Sequence, residues 1–200
     1  MKRSLFGIAF YFLMVAAASG QNPAALEPNG SHFYWSIRKA HFIAYERTIQ
    51  KSLDLNSAEK SALTGRISSL IRPFMKENEI ESEAELRKIA ANTRVELMDL
   101  DGDGVPEIVA QANDTRAGCG AAGNCPFWIF KKTSEGYKLI LDTRDKDGIG
   151  GAELITIEDT LTNGFRDLVL AAHDSASEET LIVLRYRNGM YRETACYDAN

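Results

Sequence analysis

Apolar residues recur at helical intervals in the first half of the chain. The clearest stripe follows Asn56 and Glu59, whose spacing is that of a capping box at the start of a helix. The stripe consists of Leu63, Ile67, Leu70, Ile71 and Phe74. Pro73 is expected to kink or end this helix, because proline has no amide hydrogen to donate. A second capping box, Ser82 with Glu85, predicts a short helix after it.

The segment from Phe33 to about Ser52 is also compatible with a helix, because apolar residues recur there at roughly helical intervals. They are Ile37, Ala40, Ala44 and Tyr45. We therefore expect residues 32–92 to form a helical segment whose apolar faces pack against a β region farther along the chain. Residues 21–31, with their prolines, asparagines and glycine, are expected to form a flexible leader.

From Val95 onward the pattern changes to short strand-like runs, and the chain repeats itself with a shift of about 60 residues. The matching stretches are Asp99–Val109 with Asp159–Val169, Phe127–Lys131 with Leu181–Arg185, and Glu135–Lys138 with Gly189–Arg192. Each copy reads as strand, acidic turn, strand, loop, strand, tight turn and strand. Asn188-Gly189 is a strong hairpin signal. A repeat of about 50–60 residues has the size of one propeller blade.

The acidic turn of the first copy carries carboxylates at alternate positions, on Asp99, Asp101 and Asp103. Glu107 adds a fourth carboxylate, and the carbonyl of Val105 can add a neutral oxygen. Oxygens at positions 1, 3, 5, 7 and 9 of a tight loop are suited to a hard cation such as calcium. Four carboxylates packed without a cation would repel one another. An acidic turn that binds nothing is the alternative.

This turn is not an EF-hand, because position 12, where that motif needs a bidentate glutamate, is Ala110. The pattern Asp-x-Asp-x-Asp-Gly-x-x-Glu between two strands resembles the calcium hairpins of FG-GAP/VCBS-type repeats, the units of integrin-α-like propellers. The resemblance covers residues 95–197. It implies that calcium is bound by Asp99, Asp101, Asp103, Glu107 and the Val105 carbonyl. In the second copy Leu161 stands at position 3, so we do not expect a second calcium ion there.

Two copies are too few to close a propeller. We therefore predict an α+β fold in which an N-terminal helical segment precedes two repeated antiparallel β-meander units. These units, of about eight strands in total, occupy residues 93–200 and pack together without closing into a propeller. The helices are expected to cover apolar surface that the strands leave exposed.

The N-terminus has the order of a secretory signal peptide. Lys2 and Arg3 precede an apolar run from Leu5 to Val15, and small residues follow as far as Gly20. Residues 1–20 are therefore predicted to be removed after export, because the run is too short to span a bilayer comfortably. We expect a secreted or periplasmic protein without membrane contact after cleavage.

The three cysteines fit an oxidising compartment. Cys119 and Cys125 bracket a short glycine-containing loop, and we predict a disulfide between them. Closing so small a ring stabilises the fold by roughly 2–2.5 kcal/mol in the chain-entropy description. Cys196 is left over and is expected to be a buried thiol in the last strand.

The charge of the C-terminal part limits the possible partners. From Val95 onward the chain has 10 basic and 19 acidic residues, a net charge of −9, which argues against nucleic acid as a partner and suits a bound cation. We expect a calcium-stabilised protein that binds a protein or glycan. An extracellular hydrolase with a carboxylate-based site and an inhibitor presenting the Cys119–Cys125 loop stay open as alternatives. His173, Asp174 and Ser175 are the residue types of a hydrolase triad. Because they are adjacent and neighbouring side chains of a strand point to opposite faces, we do not expect them to act as a triad.

Overall fold

The predicted α+β fold is confirmed in the computed structural model, which describes residues 40–41, 47–144, 150–173 and 179–199. Two helices precede two antiparallel meanders of four strands each, and the strands do not close into a barrel. The predicted signal peptide and leader lie outside the described residues. No helix in the described part of the chain is both long and apolar enough to cross a bilayer.

Helix α1 spans Ser57–Ile71 and begins at the predicted capping box. The Asn56 side chain accepts a hydrogen bond from the Glu59 amide at 3.0 Å, and the Glu59 carboxylate accepts one from the Asn56 amide at 3.0 Å. The α-helix ends just before Pro73, and a 3-10 turn over Arg72–Phe74 follows it, as expected for a residue that lacks an amide hydrogen.

Helix α2 spans Glu83–Ala91, and Ser82 is its N-cap as predicted. The Ser82 hydroxyl accepts a hydrogen bond from the Glu85 amide at 3.2 Å. The Glu85 carboxylate accepts from the amide of Glu81, rather than from that of Ser82, so the reciprocal half of the box is displaced by one residue.

The helix predicted from Phe33 to about Ser52 is wrong at the residues described there. Ala40–His41 is a two-residue strand, β1, and residues 48–51 form a bridge followed by a turn. The reason is tertiary pairing. The backbone of Arg47 accepts a hydrogen bond from Val95 at 2.7 Å, and the amide of Ile49 donates to Thr93 at 2.9 Å. These bonds cover the edge of the first sheet and override the local helical spacing.

Two sheets contain the remaining strands, and all neighbouring pairs are antiparallel. The first sheet has the order β2 (Arg94–Met98), β3 (Glu107–Gln111), β4 (Phe127–Thr133) and β5 (Gly136–Asp142). The second has the order β6 (Leu154–Thr162), β7 (Phe165–His173), β8 (Glu179–Arg187) and β9 (Met190–Ala199), with β1 on the outer side of β6.

The last two strands of each meander deviate from regular pairing at corresponding places. The register between β4 and β5 shifts between Ile129 and Phe130, and that between β8 and β9 shifts between Val183 and Leu184. These positions coincide when Phe127–Lys131 is laid over Leu181–Arg185. A bulge is a local feature of one strand pair, so its recurrence agrees with two copies of one unit. Duplication of the sequence itself stays a prediction.

The first sheet is the middle layer of three. Residues of β4 alternate between its two faces, so that Trp128 and Phe130 pack with the helices, whereas Phe127 and Ile129 pack with the second sheet. Leu63 and Ile67 of α1 lie in the first of these cores, and Leu168 of β7 lies in the second. The far face of the second sheet carries another buried apolar cluster, consisting of Val169, Ala171, Leu181 and Val183.

The predicted disulfide between Cys119 and Cys125 is confirmed. The loop that it closes is held against the second sheet. Cys125 and Ala152 exchange backbone hydrogen bonds of 3.0 and 2.9 Å. The Asn124 side chain accepts from the His173 amide at 3.0 Å and donates to the His173 carbonyl. Both sides of the amide are thus used to fasten the loop.

The expectation of a buried Cys196 is wrong, because its thiol lies exposed. Cys196 is in the last strand as predicted, but β9 is at the edge of its sheet, and alternate residues of an edge strand face the solvent.

Two glycines provide a test of this packing. A methyl group on Gly151 would lie 2.9 Å from backbone atoms of Asn124 and Cys125, so Gly151→Ala is expected to destabilise the fold by about 1–3 kcal/mol. Gly65 lies inside α1 with open space around it, and Gly65→Ala is expected to stabilise by about 0.5–1 kcal/mol. Urea unfolding of both variants measures the two effects. If Gly151→Ala and Gly65→Ala had equal free energies of unfolding, the disulfide loop would not pack against Gly151 as described.

Candidate metal centre

The acidic loop joins β2 to β3, and Asp99 organises it. One Asp99 carboxylate oxygen accepts a hydrogen bond from the Gly102 amide at 2.8 Å, and the other accepts from the Gly104 amide at 3.1 Å. Gly104 has a φ of +81°, a backbone conformation that other residues rarely adopt. The first aspartate therefore closes the turn around its own side chain.

The next two aspartates make shorter turns of the same kind. Asp101 accepts from the amide of Asp103 at 3.3 Å, and Asp103 accepts from the amide of Val105 at 2.7 Å. Each uses one carboxylate oxygen for the backbone. The second oxygen of each is left to face another side chain.

Three of the predicted ligands come together. Asp99, Asp101 and Glu107 each offer an oxygen, and these oxygens lie within 4.8 Å of one another. Oxygens on opposite sides of a calcium ion lie about 5 Å apart, since each bond measures about 2.3–2.6 Å. The cluster can therefore hold a metal ion. Asp103 is not part of this group, so its role as a ligand and that of the Val105 carbonyl stay predictions.

Glu107 is the buried member of the group, and its side chain has no access to solvent. One carboxylate oxygen accepts a hydrogen bond from the Leu100 amide at 2.9 Å. Burial raises the pKa of Glu107, although the bond from Leu100 works in the opposite direction. A buried carboxylate of this kind needs a positive charge beside it.

Lys131 supplies that charge and is the site residue that sequence reasoning missed. It lies on β4 next to the pair formed by Ile108 and Phe130, which places it opposite Glu107. Its ammonium group contacts Asp101, lies 2.9 Å from an Asp103 oxygen and lies 3.3 Å from a Glu107 oxygen. Only the register of the strands could have revealed this, because Lys131 is 24 residues from Glu107.

The loop and the lysine alter each other's electrostatics. The hydrogen bond from Lys131 lowers the pKa of Asp103, and the Val105 amide adds to this effect. Burial alone would lower the pKa of Lys131, but the hydrogen bonds to Asp101 and Asp103 and the charge of Glu107 outweigh burial and raise it. The ammonium is therefore held in its charged form.

The site lies at the junction of the two sheets. The Leu100 carbonyl accepts a hydrogen bond from the Arg166 amide of β7 at 2.8 Å, and the Leu100 side chain is buried in the core between the sheets. The Lys131 ammonium lies 5.3 Å from the centre of the Phe165 ring, which stacks on Tyr186 at 3.8 Å. Changes within the loop therefore reach the second sheet directly.

The second acidic turn has a different structure. Strands β6 and β7 continue to a two-residue turn at Asn163 and Gly164, so no long loop is present to surround a cation. Asp167 is buried and accepts a hydrogen bond from the Thr160 hydroxyl at 2.8 Å. Arg185 lies 3.5 Å from the same carboxylate oxygen. The second acidic turn is therefore shorter than the first.

Two grooves of the described surface bear on the hydrolase alternative. One, of about 420 Å³, lies beside the β4–β5 turn and contains a single carboxylate, Glu135. The other, of about 710 Å³, lies beside α2 and contains Glu85 and Asp114. Both of these carboxylates are paired with Arg116. Neither groove holds two carboxylates available for acid–base chemistry.

His173 is held in a pair of its own, with its ring nitrogen 2.6 Å from a Glu153 carboxylate oxygen. Its neighbours Asp174 and Ser175 lie outside the described residues.

The chain matches no family model, no curated protein and no solved structure. The function is therefore inferred from the geometry of the site.

The Glu107 contacts give a prediction that does not require a metal. Glu107→Gln removes the negative charge and replaces one of the two carboxylate oxygens with an amide group that donates, so either Lys131 or the Leu100 amide loses its acceptor. We therefore expect a loss of about 1–3 kcal/mol of unfolding free energy in the presence of a chelator. Glu96→Gln, on β2 and outside the loop, is the control with the same change of charge. Urea unfolding that gives the same stability for both variants would contradict the importance of the Glu107 contacts.

Proposed function

We propose that this is an exported protein that binds another protein or a glycan, and that calcium bound at the acidic loop stabilises the junction of its two sheets. The observation that carries the metal site is the convergence of oxygens from Asp99, Asp101 and Glu107 within 4.8 Å of one another. When bound, the ion would supply positive charge and a fixed loop geometry rather than a reactive centre.

The donor set favours calcium among the common metals. It consists of carboxylate oxygens, which are hard ligands and suit calcium or magnesium better than zinc or copper. Magnesium demands a nearly ideal octahedron at about 2.0–2.1 Å, whereas calcium accepts irregular arrangements. Here Glu107 is buried on a strand, whereas Asp99 and Asp101 lie on a loop. This arrangement suits calcium better than magnesium.

Export is supported by the signal-like N-terminus and by the disulfide. Disulfides persist mainly outside the reducing cytosol. The Cys119–Cys125 bridge lies in a loop that is fastened to the second sheet through Asn124 and Cys125. This fastening supports a structural role for the loop and weighs against its use as the projecting finger of an inhibitor.

Binding is favoured over hydrolysis by the state of the acidic groups. In one of the described grooves the carboxylates of Glu85 and Asp114 both pair with Arg116, and Arg116 lowers the pKa of Asp114 against the opposing effect of burial. A general acid needs a carboxyl that is protonated near neutral pH, which is the opposite condition.

Thermal unfolding with calcium and with a chelator tests the metal. At a calcium concentration about 100 times Kd, binding to the folded state contributes about 2.7 kcal/mol, which corresponds to a rise in Tm of about 5–10 °C. Asp101→Ala is expected to abolish the rise. Asp159→Ala, at position 1 of the second acidic turn, is the control and should keep it. Equal melting temperatures of the unaltered protein with calcium and with chelator would remove the proposal.

A further inference from the structure

The acidic loop already contains a cation, and it belongs to the protein. The ammonium of Lys131 contacts Asp101, Asp103 and Glu107, which are three of the four acidic side chains of the loop. Its side chain is 26 % exposed, whereas that of Glu107 is 1 % exposed. The positive charge therefore comes from the protein's own strand and meets the buried carboxylate from the solvent side.

The second sheet contains a corresponding pair of a buried acid and a basic residue, but it has no long acidic loop. Arg185 stands next to the pair formed by Leu168 and Leu184, opposite the buried Asp167, and lies 3.5 Å from it. Lys131 and Glu107 have the same relation in the first sheet. At this position the buried acid of the second sheet has a basic neighbour and a hydrogen bond from the Thr160 hydroxyl, and the long acidic loop is an addition found in the first sheet.

A calcium ion and the lysine head group compete for the same oxygens. Asp101 and Glu107 belong both to the group of converging oxygens and to the partners of Lys131. Two positive charges in one ring of carboxylates repel each other at short range. The ammonium group of Lys131 can leave the site, because β4 becomes exposed from Lys132 onward. The aliphatic part of the Lys131 side chain is long enough to carry the ammonium into water.

We propose that calcium enters this site by exchange with Lys131, so that the lysine is a built-in competitor that holds the loop closed and lowers the affinity for the ion. The inference rests on the proposed calcium site and adds its regulation. The charge of the lysine offsets the repulsion among the carboxylates that it contacts. The exchange also means that binding releases a positive side chain into the solvent.

Calorimetric titration with calcium chloride tests the exchange in three proteins. Lys131→Met removes the competing charge and keeps the length of the side chain, and calcium is expected to bind at least about tenfold more tightly. Lys132→Met is the matched control. Lys132 is the next residue on β4, and its ammonium pairs with Glu59 at 2.7 Å, away from the loop. Its substitution should leave calcium affinity within about twofold of that of the unaltered protein.

The outcomes separate this inference from the proposal on which it rests. If the unaltered protein binds calcium and Lys131→Met binds it equally or more weakly, the exchange is wrong and the calcium site stands. If only Lys131→Met binds calcium, the competition is upheld and the proposed native function falls. If neither protein binds it, both are overturned.

A second measurement uses the unaltered protein and so does not depend on the folding of a variant. Acetylation of individual lysines by acetic anhydride is followed by mass spectrometry with calcium chloride and with chelator. Saturating calcium is expected to raise the rate at Lys131 severalfold while leaving the rate at Lys132 unchanged. An unchanged rate at Lys131 would overturn the exchange.

Discussion

The structure depends on the balance of one buried negative charge. Glu107 begins a strand that is buried along its whole length, and its carboxylate lies where the acidic loop meets the space between the two sheets. Leaving such a charge without a partner would cost several kcal/mol. The Leu100 amide and the Lys131 ammonium meet this need, and both lie on segments that the second sheet contacts.

This balance explains why the loop combines two kinds of interaction. Backbone amides satisfy one side of the aspartates and shape the turn, as at Asp99, while the other side of Asp101 and Asp103 faces the lysine. The backbone bonds keep the carboxylates close together whether or not an ion is present. An ion that exchanges with the lysine would then enter a framework that is already formed, which is the condition for a small structural change on binding.

Local signals predicted two of the three expected helices, and the strands on either side of the acidic loop, correctly. Asn56 and Glu59, Ser82, Pro73 and the Asn188-Gly189 turn each act through neighbours within a few residues, and the structure confirms them. Features set by distant pairing were missed. Such pairing placed Ala40–His41 beside β6 and Lys131 beside Glu107, and the edge position of β9 exposed Cys196. No spacing along the chain records which strands become neighbours.

The position of the first sheet between two cores has a consequence for how the chain unfolds. Every residue from Phe127 to Phe130 is buried, two against the helices and two against the other sheet. Separating either outer layer would expose one full apolar side of β4 to water. The helical layer and the two sheets therefore do not pack as independent units. They form a single cooperative body in which damage at one boundary weakens the other.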